Sequence, residues 1–164
     1  MTGADSSVHF RIRPATIEDY DALIELWLAA GSDVEPTRRE SREAFARQLE
    51  LFPDLYLVAV EGSRIIGVVL GSHDGRKGWI NRLAVQPDAQ RRGVATALVR
   101  AVDAAIRADG ITIVCALVEV ENAASAALFR RLGYADNVPV VYFRKPSPGV
   151  GPLGTPDPWG LQGS

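Results

Sequence analysis

The sequence is short of the residues that mark several protein classes. A single cysteine, Cys115, rules out an internal disulfide framework and a cysteine-rich metal site. His73 has no second histidine at ligand spacing, so no metal is expected. No apolar run reaches about 18 residues, which argues against a membrane-spanning helix. The N-terminal MTGADSSVHF reads as lacking a signal-peptide core. Charge of either sign is nearly balanced: 18 basic against 20 acidic residues leave −2, which does not suit nucleic acid as the main partner. Nothing repeats at a period of ~20–50 residues. What remains is the expectation of a cytoplasmic chain with no membrane or nucleic-acid partner. Its 47% hydrophobic and 23% charged residues are enough for one domain with an ordinary core.

Five prolines and five glycines fall within 146–164, a composition that predicts a flexible tail rather than a packed element. Residues 1–9 are likewise expected to be disordered, leaving 10–145 as the domain. Phe10–Pro14 alternates apolar and charged residues, a short strand. Thr16 with Asp19 forms a capping box and opens a helix over Ile17–Ala30, with Tyr20, Leu23, Ile24 and Trp27 inward. Gly31–Pro36 is a loop carrying Asp33 and Glu35. Thr37 with Glu40 is a second capping box, opening a helix to Leu51 whose few apolar positions predict a surface lid.

Leu55–Val60 and Ile65–Gly71 read as strands joined by the turn Glu61–Arg64, with Gly67 and Gly71 marking a bulge or a close backbone approach. The loop His73–Gly78 leads into the strand Trp79–Val85, completing an antiparallel meander. A helix over 93–109 follows, then Ile111–Val118, too apolar for an edge strand. A strand–helix–strand crossover of this length implies parallel pairing of Trp79–Val85 with Ile111–Val118. Asn122 is placed to cap a helix over Ala123–Leu132, and Val138–Arg144 reads as a last strand. The fold class is α/β (α+β): a mixed, mostly antiparallel sheet with one parallel pair and four helices.

Chemistry concentrates where the central helix begins, at Gln90-Arg91-Arg92-Gly93-Val94-Ala95. The first N–H groups of a helix lack internal partners and carry the positive end of its dipole. Beside a glycine that lets a ligand approach the main chain, they suit a phosphate or pyrophosphate. A P-loop is disfavoured because no Lys-Ser/Thr follows the glycine.

This start resembles the signature [QR]-x-x-G-x-[GA] of the GNAT superfamily of acyl-CoA-dependent N-acyltransferases, matched by Gln90, Gly93 and Ala95. Asn122, Ala126, Leu128-Phe129 and Leu132-Gly133-Tyr134 resemble its second block, and Leu83-Ala84-Val85-x-Pro87 is similar as well. The resemblance covers roughly residues 10–145. It implies the GNAT fold, with the central sheet's two parallel strands diverging. It also implies acetyl-CoA as cosubstrate without a metal. The pyrophosphate would rest on the backbone from Arg91 through Arg92, Gly93, Val94 and Ala95 to Thr96. The pantetheine arm would bond the main chain of Leu83, Ala84 and Val85 as strand addition does, and Asn122 and Phe129 would border the donor site. A backbone N–H near Val85 would serve as oxyanion donor.

The family often protonates the leaving thiolate with a tyrosine, and that position here is Phe129, which has no proton to give. Tyr134 and Tyr142 are the substitutes. Some members carry a glutamate base on the strand corresponding to Trp79–Val85. Here only Asn81 and Arg82 stand there, and Glu119 after the next strand is the better candidate, so the catalytic candidates are Glu119, Tyr134 and Asn122. The function implied is transfer of an acetyl group from acetyl-CoA to a primary amine of a small molecule or protein. The alternative is a non-catalytic acyl-CoA-binding or regulatory module. Asp33 and Glu35 favour a cationic amine. With one strand after the final helix where the family often has two, the last strand is free to pair across a homodimer.

Overall fold

The computed structural model describes residues 9–32, 34–37, 39–136, 139–145 and 148. The chain divides into one unit ending at Tyr134 and another beginning at Ala135. Among the described residues the helices and strands belong to the first: β1 (Arg11–Pro14), α1 (Tyr20–Ala29), α2 (Arg42–Leu51), β2 (Tyr56–Glu61), β3 (Arg64–His73), β4 (Lys77–Val85), α3 (Val94–Ala108), β5 (Ile113–Ala116) and α4 (Ala123–Arg131). The sheet runs β1-β2-β3-β4-β5, antiparallel except for the parallel pair β4 and β5. No helix among the described residues is long and apolar enough to cross a membrane.

Side chains alternate across the sheet and feed two cores. Tyr56, Val58 and Val60 of β2 face α1 and α2, joining Leu23, Leu26, Trp27 and Phe45. Leu57 and Ala59 face the opposite way, toward the α3 stripe of Val94, Leu98, Val102 and Ile106. That stripe seats closely because three residues beneath it lack a Cβ. A Cβ on Gly67 would lie 2.8 Å from Val94 Cγ1, one on Gly71 would lie 2.6 Å from Val102 Cγ2, and one on Gly78 would strike Ile106. Gly67 and Gly71 therefore mark close backbone approach. Helices α1 and α2 on one face and α3 on the other are thus layered about one sheet.

Four expectations are corrected. The helix expected from Thr37 begins later: its cap is Ser41, whose side chain accepts from the Ala44 N–H at 3.2 Å. Glu40 does not close a capping box, because its carboxylate is drawn to Arg82, distant in sequence. The strand expected over Ile111–Val118 shortens to β5, and β5 ends the described sheet instead of lying inside it. Its Ile113 is half exposed, so the apolar run reflected strand propensity rather than burial on both faces. Residues 139–145 form no strand, and Val140, Val141, Tyr142 and Phe143 are exposed. Val138 lies outside the described residues, as do Asp33 and, apart from His9 and Pro148, the expected termini 1–9 and 146–164.

Candidate active site

β4 carries the geometry that matters. Its register with β3 slips, Val68 pairing with Ala84 but Leu70 with Asn81, so Arg82 and Leu83 oppose Val69 alone. This is a β-bulge, and Arg82 takes φ 52°, a left-handed conformation that costs a non-glycine residue of order 1 kcal/mol. Neighbours hold it there. The Arg82 guanidinium donates to Glu40 Oε1 and lies 5.6 Å from the centre of the Trp27 ring. The Trp27 indole N–H donates to the Arg82 carbonyl at 3.2 Å. Glu40 is held in turn by the Glu35 N–H at 3.0 Å and by Arg39 Nε at 3.0 Å.

Trp27, Arg39, Glu40 and Arg82 form one wall of a cavity of about 280 Å³ between the two helices α1 and α2 and the strands β2, β3 and β4. Apolar faces come from Trp27, Phe45 and Leu70, and neutral polar groups from Gln48, Tyr56, Ser72 and Asn81. Burial pushes the Tyr56 phenol up to about 12, and its O–H donates to Gln48 Oε1 at 3.2 Å. Sequence reasoning missed this cavity. Trp27 reads as core and Glu40 as a helix cap, and only the fold brings both to Arg82.

On its other edge β4 is open. Pairing with β5 covers Lys77–Ile80 against Ile113–Ala116 and stops there. Asn81–Val85 have no strand on that side among the described residues. The Gln86 N–H donates to Ile66 of β3 at 2.9 Å. Successive N–H groups of a strand alternate in direction, so the Val85 N–H faces away from β3, onto the open edge. The Gln90 side-chain amide donates to the Val85 carbonyl at 3.4 Å and ties the following loop to that edge.

The loop then turns twice through left-handed backbone, at Arg91 (φ 61°) and Gly93 (φ 80°), before α3 begins. Nothing lies within 4 Å of where a Gly93 Cβ would stand. The glycine is required by its φ, where an L side chain is strained, not by lack of room. No side chain caps α3, so the N–H groups of Val94, Ala95 and Thr96 lack the usual partner at a helix start. The two arginines part company. The Arg92 guanidinium donates to Glu61 of β2, while Arg91 is exposed.

The second block is split between capping and packing. The Asn122 side-chain oxygen accepts from the Ser125 N–H at 3.1 Å, the expected cap, which leaves its amide donors uninvolved in capping. Glu119 is exposed in the turn between β5 and α4, three residues beyond the strand's end. Phe129 is buried and meets Tyr134 edge-on, ring centres 5.1 Å apart. The Tyr134 O–H donates to Asp103 Oδ1 of α3 at 2.8 Å. Burial and that bond hold the Tyr134 phenol far above its ordinary range. Burial pushes the Asp103 carboxyl up, but the bonds from Arg107 and Tyr134 outweigh it and keep the group below its ordinary value. Cys115 is half-buried in β5.

Comparison with known proteins is consistent with this arrangement. Residues 20–134 match the model of the Acetyltransferase (GNAT) family. An acetyltransferase of Pectobacterium atrosepticum is 32% identical over 117 residues, covering 71% of this chain and 82% of that protein. The PaiA N-acetyltransferase of Thermoplasma acidophilum, solved in complex with coenzyme A, superposes with a TM-score of 0.68 at 21% identity, over 77% of this chain and 90% of that one. The enzyme AAC(6′)-Iy, solved with a bisubstrate analogue of coenzyme A and acetylneamine, superposes with a TM-score of 0.67 at 19% identity, over 84% and 99%. By the family match over residues 20–134 and the 32% identical relative, the chain belongs to the acetyltransferase (GNAT) family.

Proposed function

We propose that the chain transfers an acetyl group from acetyl-CoA directly to an amine held in the Trp27–Arg82 cavity. One observation carries the reading: the uncapped start of α3 and the open edge of β4 lie in sequence on either side of one short loop. The N–H groups of Val94, Ala95 and Thr96 bind the diphosphate, with the dipole of a 15-residue helix behind them. Arg91 adds a charge-assisted contact. Arg92 shapes the loop through Glu61. The pantetheine amides bond the main chain of Leu83–Val85 as an added strand would, bordered by Asn122 and Phe129.

Catalysis is positioning plus charge stabilisation. β4 serves both substrates, since Asn81 and Arg82 line the cavity while Val85 faces the open edge. The amine nitrogen attacks the thioester carbon, the C–N bond forms and the C–S bond breaks. The Val85 N–H steadies the oxyanion between these events. Glu119, exposed to water, accepts the ammonium proton through a solvent molecule. The thiolate regains a proton from water or from Tyr134, which gives one only by surrendering its bond to Asp103.

A second reading, binding of acyl-CoA without turnover, is favoured by one observation: Phe129 has no proton and the Tyr134 hydroxyl is engaged elsewhere. Calorimetry with coenzyme A and thiol release from acetyl-CoA separate the two. We expect binding, and thiol release that depends on an amine. Gly93→Val should weaken binding at least tenfold, about 1.4 kcal/mol, while the circular dichroism of the folded chain stays. Unaltered affinity in that variant overturns the donor-site assignment, and binding with no turnover favours the second reading.

A further inference from the structure

The cavity's charge is opposite to that of the molecule. The whole chain carries −2. Among the described residues the ionised groups lining the cavity are Arg39, Arg47, Arg82 and Glu40, three guanidinium groups against one carboxylate. Its other titratable walls, Tyr20 and Tyr56, are neutral phenols at pH 7, each raised by burial. Glu40 is already occupied: Arg82 and Arg39 both bond its carboxylate, and the Glu35 N–H takes a further contact. Little of its negative charge is left for a ligand. Arg47 differs. It projects from α2, is exposed, and makes no hydrogen bond or ion pair among the described residues.

We infer that the acceptor is a small amine carrying an anionic group, a carboxylate or a phosphate, which Arg47 and Arg39 bind at the cavity's rim. The inference rests on the function proposed above and names its acceptor class. A guanidinium binds such a group through two parallel N–H donors, a fixed geometry that also orients the molecule. Gln48, Ser72 and Asn81 are left to hydrogen-bond the remainder, between the apolar faces of Trp27 and Leu70. A volume of about 280 Å³ fits a molecule of amino-acid size. A polyamine or aminoglycoside would bring further positive charge against an existing excess of two. The assignment differs from the cationic acceptor expected from Asp33 and Glu35: Asp33 lies outside the described residues, and Glu35 contributes its backbone N–H to Glu40.

The test measures thiol release from acetyl-CoA by the full chain with matched amines. Anionic acceptors are the common α-amino acids, β-alanine and phosphoethanolamine. Their neutral counterparts are the amino-acid amides, β-alaninamide and ethanolamine; spermidine and kanamycin are the cationic arm. At least one anionic amine should exceed its neutral counterpart tenfold or more in kcat/KM, and which one responds distinguishes carboxylate from phosphate. Arg47→Gln should then raise KM for that amine about fivefold to tenfold, leave kcat within twofold, and leave coenzyme A affinity unchanged. Arg47 is exposed and makes no hydrogen bond or ion pair among the described residues, so the variant keeps its structure. Preference for neutral or cationic amines, or turnover of these with none of any anionic one, overturns the inference. Failure of coenzyme A to bind, or binding with no turnover of any amine, overturns the proposed function instead, so the two failures are distinguishable.

Discussion

Asp19 is 8% exposed, and among the described residues it is the buried charged side chain. It accepts from Arg13 Nη1 at 2.7 Å, from Nη2 at 2.9 Å and from the Thr16 N–H at 2.8 Å. These bonds tie β1 to the turn that begins α1. The bonds from the Arg13 guanidinium hold its carboxyl below the ordinary carboxylate range. A carboxyl whose pKa is lowered by folding stabilises the fold above its unfolded pKa of about 3.9 and loses that contribution as pH falls through the lower folded value. Asp19→Asn should therefore cost about 2 kcal/mol at pH 7 by urea denaturation. The gap between variant and parent should close as the pH drops below about 4. A gap that stays constant with pH would show the bonds to be worth the same without charge. The Thr16–Asp19 pairing was legible because its partners lie three residues apart. The bond from Arg82 to Glu40 was not, because 42 residues separate them and local spacing carries no trace of it.

Among the elements, α3 was the most readable and α2 the least. The apolar stripe of α3 repeats with the period of a helix and packs as that period requires. What it packs against was half legible: Gly67 and Gly71 stood out inside a strand pattern, while Gly78 read as the end of a loop. The structure sets these glycines under Val94, Val102 and Ile106. Gly71→Ala is the clean probe, since its Cβ would lie 2.6 Å from Val102 Cγ2 and 3.2 Å from the Leu55 carbonyl oxygen, neither of which yields easily. Overpacking of this kind should lower stability by about 2 kcal/mol, read from the denaturation midpoint at an unchanged slope. An unchanged midpoint would mean that α3 does not rest on the sheet backbone at this point. The apolar residues 139–143 show the opposite limit of pattern reading. A β-prone run reports propensity, and a strand also needs a partner that the run itself cannot specify.

At the scale of the whole molecule, the sheet separates two tasks. Its α3 side and open β4 edge suit an acyl donor, and its α1 and α2 side forms the cavity beneath the bulge. The family was readable because the start of α3 is a backbone device, with a glycine at φ 80° and a helix start at fixed spacing, and backbone devices leave sequence patterns. The cavity is built by side chains from five elements, α1, α2, β2, β3 and β4, and the loop before α2, which no single motif records. The central claim is that main-chain amides grip the donor, and amide chemical shifts report on those groups directly. In a titration of the isotopically labelled chain with coenzyme A, the largest shifts should fall on the N–H signals of Val94, Ala95, Thr96 and Val85, with Arg91 and Gly93 close behind. Saturable binding that leaves those signals in place and moves others would contradict the account.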